Sequence, residues 1–456
     1  MSGSPEDHSQ LVKGLNSPFP EKRAATLAQF SSLPISPKVA AKLLQKPKTK
    51  SLASLIVSLL SDENESVQGA AVCAVCSHLS QKTLPIFLTV GLERSALECL
   101  PASLPVVASM VAVDCNLLSD SVVAAVTPLV LSGLSPTTDS RDLTLASAEI
   151  VVNGFRQESQ SAALVQLLQQ CGALAAAGGS DVQEMRMIHA VIAIYAGNAV
   201  PVSHVLPTVS FPMPSEALSI CDMLLEALYE HPQLCATHLA DLIRISASVP
   251  PEEALSEASS LATYAEVLAV CESAAKALQC GVVAVLEADP CAAELPSVSG
   301  TLIPPIVAAA ALALGSGQDA AEALMGAARL LGSLAWERGE RDVVDMPELP
   351  LLLKEEAVAA QAVFLLRFST GAVPVLDGVL AHFTKWGKRG VGAICESLDV
   401  CFDCAANAAG KPLIPAVKAA GAWLKKQGNP QDGELAAMRE MCIANCNPWC
   451  AYVQGQ

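Results

Sequence analysis

Cysteines are the residues in this chain with the clearest capacity for chemistry, and there are 16 of them. The closely spaced ones are Cys73/Cys76, Cys401/Cys404 and Cys442/Cys446/Cys450. Zinc sites are often built from pairs separated by two residues, so Cys401 and Cys404 with two of the last three cysteines could hold one Zn²⁺. Cys73 and Cys76 instead lie in an Ala/Val-rich helical pattern, where cysteine is a small core residue. We expect reduced cysteines that pack in the core, with zinc binding and redox chemistry as the alternatives.

Catalytic motifs are the second place to look for chemistry. The sequence contains no G-x-x-x-x-G-K-[ST], no G-x-S-x-G, no H-E-x-x-H and no D-x-D-x-D-G calcium loop. His189 lies within a helical apolar run, which is more typical of a core or groove histidine than of a metal ligand. The sequence therefore predicts a protein that is not an enzyme and that needs no cofactor.

Charge is the feature that points to a partner. The chain has 45 acidic and 28 basic residues, a net charge of −17. The segment from Ser95 to Ala275 alone holds 19 acidic and four basic residues. Such a field repels nucleic-acid phosphates and anionic lipid and attracts basic proteins. We expect a basic protein or peptide segment as partner, with no direct nucleic acid and no membrane; plain solubility of a very apolar chain is the alternative.

The elements that would position these charges repeat along the chain. Leu11–Leu33 and Leu55–Leu79 share one plan at a shift of 45 residues: an apolar helix, a polar turn and a helix rich in small residues. This helix-turn-helix period is that of armadillo and HEAT repeats. No stretch alternates polar and apolar residues as a strand would, and no apolar run approaches the roughly 20 residues of a membrane span.

The fold class predicted is therefore all-α, a right-handed armadillo/HEAT-like α-solenoid. Armadillo/HEAT-like repeats are expected over residues 1–200, and HEAT-like repeats continuous with them over residues 201–456. The proline-rich segment Pro201–Pro214 and the segment Gly339–Pro350 are predicted to be loops.

Partner-binding residues are predicted on the helices of the acidic middle. Ala148–Asn153 is similar to the small-apolar-x-Asn pattern at the end of armadillo third helices, whose Asn lines a groove. Asp222, Glu226 and Glu230 follow at four-residue spacing and so share a helix face, which we expect to be exposed and to have no Lys or Arg nearby. The full set of candidates is Glu149, Asn153, Glu184, Asp222, Glu226 and Glu230.

Both ends of the chain carry a family resemblance. Leu15–Leu33 (LNSPFPEKRAATLAQFSSL) and Leu55–Leu79 look like the opening repeats of the symportin family, and Leu398–Asp403 (LDVCFD) with Trp449–Tyr452 (WCAY) resembles its ending. Symportins are armadillo/HEAT chaperones that escort ribosomal proteins into the nucleus. Val205–Leu234 also resembles karyopherin-type HEAT proteins.

The resemblance implies a chaperone for ribosomal proteins that acts in nuclear import or ribosome assembly, in the cytoplasm, the nucleus or both. Together with the charge it predicts a non-enzymatic protein-binding scaffold. The alternatives are a structural subunit of a large assembly (axonemal, coat or ribosome-associated) and a karyopherin-like transport factor.

Overall fold

A computed structural model describes residues 5–45, 51–138, 140–177, 180, 182–198, 200–211, 213–250, 264–291, 295–370, 372–404, 408–428 and 430–456. The chain forms two compact units, Met1–Val202 and Ser203–Gln456. Within the described ranges the regular structure is helical, and the one β-type pairing is an isolated bridge between Val344 and Ser369.

The N-terminal unit consists of short and medium-length helices. Those in its described residues are α1 (Pro5–Leu15), α2 (Pro20–Ser31), α3 (Pro37–Gln45), α4 (Leu52–Ser58), α5 (Glu65–Cys76), α6 (Leu84–Thr89), α7 (Leu92–Glu98), α8 (Leu104–Val113), α9 (Asp120–Gly133), α10 (Arg141–Arg156), α11 (Ala162–Ala177) and α12 (Gln183–Tyr195). A further helix, α13 (Val200–Val205), contains the boundary between the units.

Local sequence explains where these helices start and stop. The Ser51 side chain accepts a hydrogen bond from the Ser54 amide, and that of Asn64 accepts one from the Val67 amide, so both residues cap free N–H groups at helix starts. Gly91 turns the chain between α6 and α7 at a φ of 87°, a conformation that favours glycine.

Two layers of helices make up the N-terminal unit. Layer B consists of α2, α5, α8, α10 and α12, each packed on the next. Layer A contains α1, α4, α7, α9 and α11, each packed on the layer-B helix that follows it. The short helices α3 and α6 precede α4 and α7 and give those repeats three helices, as in armadillo units. This alternation is the armadillo/HEAT arrangement, and it confirms the predicted all-α fold class.

Buried side chains join neighbouring helices within layer B and between the two layers. The ring of Phe30 on α2 is 1% exposed and lies 4.3 Å, centroid to centroid, from the ring of His78, which follows α5. His189 on α12 is also buried, with its Nε2 atom 3.0 Å from the Leu134 carbonyl oxygen. The expectation of a hydrogen-bonded core histidine at position 189 is therefore confirmed.

The C-terminal unit continues the helical pattern. Its described helices are α14 (Ser215–Tyr229), α15 (Pro232–Thr237), α16 (Leu239–Ser246), α17 (Tyr264–Ala288), α18 (Ile303–Ala313), α19 (Gln318–Glu337), α20 (Leu349–Leu352), α21 (Ala359–Leu365), α22 (Ala372–Phe383), α23 (Val391–Cys404), α24 (Ile414–Lys426) and α25 (Gly433–Gly455).

The same two layers recur in this unit. Layer B consists of α14, α17, α19, α21, α23 and α25, again packed one on the next. Layer A contains α16, α18, α20, α22 and α24, each packed on the following layer-B helix. Among the described helices, α17 has the length and apolarity to cross a membrane, which the sequence analysis did not anticipate. It packs against α14, α15, α16 and α19, and 61% of its most apolar window is buried, as in a core helix.

Some predicted loops are wrong in detail. Residues of Pro201–Pro214 form most of α13 and a 3₁₀ turn, Leu206–Thr208, because proline is tolerated in the first turn of a helix. The sequence pattern of His204–Ile245 predicts two helices split at His231; that break is present, and a second break occurs at His238 between α15 and α16. The pattern also predicts a helix over Pro251–Glu287, whose start lies outside the described residues. Continuity of the two repeat regions and the right-handed sense stay predictions.

Replacing Phe30 with Ala should destabilise the protein by about 3–5 kcal/mol, because the vacated space between α2 and α5 is filled by no other side chain. Phe19 is the matched control in the same unit, since its side chain is 57% exposed and Phe19→Ala should cost less than about 0.5 kcal/mol. Urea unfolding followed by circular dichroism measures both. Equal losses for the two variants would contradict the packing described here.

Candidate functional site

Glu149 and Asn153 lie one turn apart on α10, and both are half-buried. The Asn153 side-chain amide donates a hydrogen bond to the Glu149 carbonyl oxygen at 2.8 Å, so one of its two donors is used within its own helix. The Glu149 side chain is half-buried, and burial raises the pKa of its carboxyl group. No hydrogen-bond donor or cation among the described residues contacts that carboxylate.

Glu184 links two helices of layer B. Its carboxylate on α12 lies 2.8 Å from the Arg141 guanidinium on α10. A basic partner at this point would have to compete with Arg141 for the carboxylate. The ion pair of Glu184 therefore connects neighbouring repeats.

Layer B of the N-terminal unit has no excess of acid. Its five helices hold five acidic and five basic residues, a net charge of zero. The acidic character of this part of the sequence resides in turns and in layer A, for example at Glu158 and Asp120. In the described part of this unit, the excess of acid in the segment from Ser95 is therefore not carried by layer B.

The C-terminal unit places the other candidates on α14. Glu226 and Glu230 are exposed, as expected for their spacing, whereas Asp222 is half-buried. The hydroxyl of Ser273 on α17 donates a hydrogen bond to Asp222 at 2.6 Å, and burial raises the pKa of this carboxyl group against the effect of that bond. The prediction of three equally exposed carboxylates is wrong for Asp222, because the packing of α14 on α17 covers it.

A lysine lies among these acids, contrary to expectation. Lys276 on α17 forms an ion pair with Glu272 at 2.6 Å, and this hydrogen bond raises the pKa of the lysine. Asp319 on α19 adds to that rise, which places it close to Lys276 as well. Three consecutive layer-B helices thus bring their charged residues to one surface.

We call this surface the acidic face. It consists of Asp222, Glu226, Glu230, Glu272, Asp319 and Glu322, with Lys276 among them. Counting Glu230 with α14, the helices α14, α17 and α19 hold ten acidic and two basic residues, a net charge of −8. Nearly half of the excess negative charge of the chain is therefore carried by three adjacent helices of one layer.

The sequence analysis missed an arginine cluster further along the same layer. The Arg367 side chain is 4% exposed, and its Nη2 atom lies 2.5 Å from Asp399 and 3.0 Å from Asp403 on α23. Its guanidinium is 4.6 Å from the Phe364 ring centroid and 5.7 Å from that of Trp336. Asp399 and Asp403 belong to the LDVCFD segment noted for its family resemblance, and both form ion pairs with Arg367.

Glu396 completes this cluster one turn before Asp399. Its side chain is buried and forms an ion pair with Arg329 of α19. Burial raises the pKa of Glu396, and Arg329 and then Arg367 oppose that rise. The ion pairs of this cluster connect α19, α21 and α23. In the sequence, the only sign of the cluster is the four-residue spacing of Asp399 and Asp403.

The cysteines divide into two groups. Cys401, Cys442, Cys446 and Cys450 are buried thiols, as expected for core residues. Cys73 is exposed and Cys76 is half-buried, so the expectation of core packing is wrong for Cys73, which lies on the outer side of α5. The side chain of Cys404 lies outside the described part of the structure. No group of three or more metal-ligating side chains occurs among the described residues.

A cavity of about 480 Å³ opens between α11 and the ends of α10 and α12. The Phe155 and Tyr195 rings stack at one wall with centroids 5.9 Å apart, and Arg156 donates a hydrogen bond to the Tyr195 hydroxyl at 2.8 Å. The lining of the cavity combines these rings with neutral amide side chains, including those of Gln160 and Gln169.

Glu149→Gln should stabilise the protein at pH 7 by roughly 1 kcal/mol. Because burial raises the folded-state pKa above the ordinary 4.5, the ionised carboxylate costs stability at neutral pH, and this cost disappears as both states become protonated. The gain should therefore vanish near pH 4. Urea unfolding across this pH range tests it, with Glu158→Gln, at an exposed position, as the control for the loss of one carboxylate.

Arg367→Met should destabilise the protein by roughly 2–5 kcal/mol, since Asp399 and Asp403 would lose their counter-charge. Adding Asp399→Asn and Asp403→Asn to this variant should restore most of that loss. Thermal unfolding of the single and triple variants measures both effects. A triple variant as unstable as Arg367→Met would show that the ring contacts, not the charges, matter here.

No known protein-family model matches the chain, and no curated protein matches it. Among solved structures it is similar to a chain from work on a phosphorylation switch that controls the interaction between cadherin and beta-catenin, with 14% identity and a TM-score of 0.45 over 96% of this chain and 93% of that chain. It is also similar to importin beta, with 12% identity and a TM-score of 0.37 over 96% of this chain and 57% of that one. For Kap121p the values are 13% identity, a TM-score of 0.33, and 97% and 45% coverage. The chain thus spans about half the length of importin beta and Kap121p.

Proposed function

We infer that this protein is a non-enzymatic scaffold that binds a basic segment of another protein on the acidic face of its C-terminal unit. The observation that carries this inference is the net charge of −8 on α14, α17 and α19, three helices that lie side by side in one layer. Opposite charge on a partner would raise the rate of encounter and fix its register.

The geometry of the face suits an extended partner that crosses the helices. Asp222 lies beside Ser273, and Lys276 lies beside Asp319, so charged residues of α14, α17 and α19 follow one another across the layer. Lys276 pairs with Glu272, and Glu226 and Glu230 on one side and Glu322 on the other are exposed. A chain with several Lys or Arg residues could pair with both sides at once.

The N-terminal candidates have a smaller part in this proposal. Glu149 and Asn153 could form a second polar contact on α10, where the Glu149 carboxylate is half-buried and keeps capacity to accept hydrogen bonds. Glu184 would contribute only if a partner displaced Arg141. Escort of a ribosomal protein, nuclear transport, and residence in the cytoplasm or nucleus are finer roles within the same proposal, and they rest on the family resemblance.

A labelled peptide of alternating Lys and Arg tests the acidic face directly. The variant Asp222→Asn, Glu226→Gln, Glu230→Gln should bind it roughly 3- to 30-fold more weakly than the wild-type protein at about 50 mM salt, the scale of two or three surface ion pairs. The difference should shrink at about 300 mM salt, because screening weakens exposed charge pairs. Fluorescence anisotropy measures both affinities.

A matched control changes three exposed acids of the N-terminal unit, as Glu63→Gln, Glu65→Gln, Asp120→Asn. It alters the total charge by the same amount and should leave peptide binding nearly unchanged. If the two triple variants bind the peptide equally well, the effect belongs to net charge and the acidic face is not a binding site. Affinity that does not depend on salt would instead favour an apolar contact, as in a subunit of a large assembly.

A further inference from the structure

The outward side of α24 is basic, in a unit whose layer B is strongly acidic. Lys418, Lys425 and Lys426 are exposed on this helix, and Lys411 is exposed in the 3₁₀ turn that leads into it. The other exposed residues along this side are small or ring-shaped: Pro412, Pro415, Ala419 and Ala422. We call Lys411, Lys418, Lys425 and Lys426 the lysine row.

Packing fixes which side of α24 carries the row. Val417, Ala420, Gly421 and Leu424 are buried toward the neighbouring helices. A Cβ atom at Gly421 would lie 2.8 Å from the Cys446 sulfur, so α24 and α25 approach closely on that side. Lys418 and Lys425 lie seven residues apart in α24, which is nearly two helical turns and keeps them on one outer side, and Lys411 is exposed in the 3₁₀ turn that precedes them.

Nothing in the described part of the structure neutralises the row. No carboxylate among the described residues forms an ion pair with any of its four lysines. The three acids of the surrounding segment, Thr384–Lys426, are Glu396, Asp399 and Asp403, and these bind Arg329 and Arg367.

Helix stability accounts for part of the row only. Lys425 and Lys426 lie in the last turn of α24, where cations interact favourably with the helix dipole. Lys411 precedes the helix and Lys418 lies in its second turn, so neither lysine gains from the dipole. Stability therefore does not explain why the row extends over both ends.

We propose that the lysine row of α24 is a second interaction surface, which binds a short acidic segment of a partner protein. Over 14 residues the row measures about 21 Å at 1.5 Å per residue. An extended segment of about six residues spans the same length at about 3.3 Å per residue. The prolines and alanines between the lysines let a partner backbone approach, and alternate carboxylates of an extended chain would point to the ammonium groups.

Other anionic partners fit the row less well. A nucleic acid or a membrane surface extends far beyond 21 Å and would meet the rest of a chain whose net charge is −17 despite these four lysines. Membrane binding is also helped by apolar side chains that insert into the interface, and the exposed residues between the lysines are alanine and proline. A short acidic protein segment fits the row without meeting the acidic surroundings.

A fluorescein-labelled peptide with six alternating Asp and Glu residues is the probe. The wild-type protein should bind it more tightly than a Gln/Asn peptide of equal length, in about 50 mM salt, and the variant Lys411→Gln, Lys418→Gln, Lys425→Gln should lose at least about tenfold in affinity. The Glu variant at the same positions should abolish binding. Circular dichroism and the melting temperature verify that each variant is folded.

The control is Lys13→Gln, Lys42→Gln, Lys82→Gln, which removes three exposed lysines from the N-terminal unit. It should retain wild-type affinity for the acidic peptide. Equal losses in the two Gln variants, or tighter binding of a single-stranded oligonucleotide or a phosphatidylserine vesicle through the lysine row, would overturn the proposal. Because this probe is acidic, its failure to bind would not count against the proposal for the acidic face. The two proposals are therefore tested independently.

Discussion

Close side-by-side packing of layer-B helices is the constraint on which the other features depend. α17 illustrates it: a Cβ atom at Gly326 of α19 would lie 3.0 Å from the side-chain nitrogen of Gln279, and Gln279 donates a hydrogen bond to the Ala323 carbonyl oxygen of α19 at 2.7 Å. Contacts this short require small residues at the seam, which explains a chain with 52% hydrophobic but only 4% aromatic residues. They also bring charged side chains of successive helices to one surface.

Two kinds of polar contact hold the layers in register. Single ties such as Glu184 to Arg141 join neighbouring helices at the surface. In the second kind, the cluster around Arg367 joins three helices: the Arg367 and Glu396 side chains are buried, and Asp399 and Asp403 are partly exposed. The acidic face lacks such balance, since its one lysine faces several carboxylates. The Arg367 cluster therefore connects helices through paired charges, whereas the acidic face is a local excess of negative charge on three helices.

The fold class was predictable because helical periodicity and the shift of 45 residues between Leu11–Leu33 and Leu55–Leu79 are local properties of the sequence. The burial and charge of individual surface positions were not predictable in this way. Asp222 shares a helix face with Glu226, yet burial against α17 depends on a helix some 50 residues away. The net charge of a sequence segment likewise combines residues of turns and of both layers. It therefore indicated an excess of acidic residues in the N-terminal unit, although the layer-B helices of that unit have no net charge. The lysine row was not predicted, because its four lysines form no motif in the sequence. Only the packing of α24 shows that they are exposed on one side of the helix.

The placement of opposite charges within the C-terminal unit has a further consequence. Acid concentrates on α14, α17 and α19 in layer B, and the lysine row lies on α24 in layer A. Separated charges of opposite sign give this unit a permanent electric dipole moment, whose torque acts on an approaching charged molecule before any contact forms. A basic and an acidic partner would therefore be turned toward different helices of one small body, and both could be held at the same time.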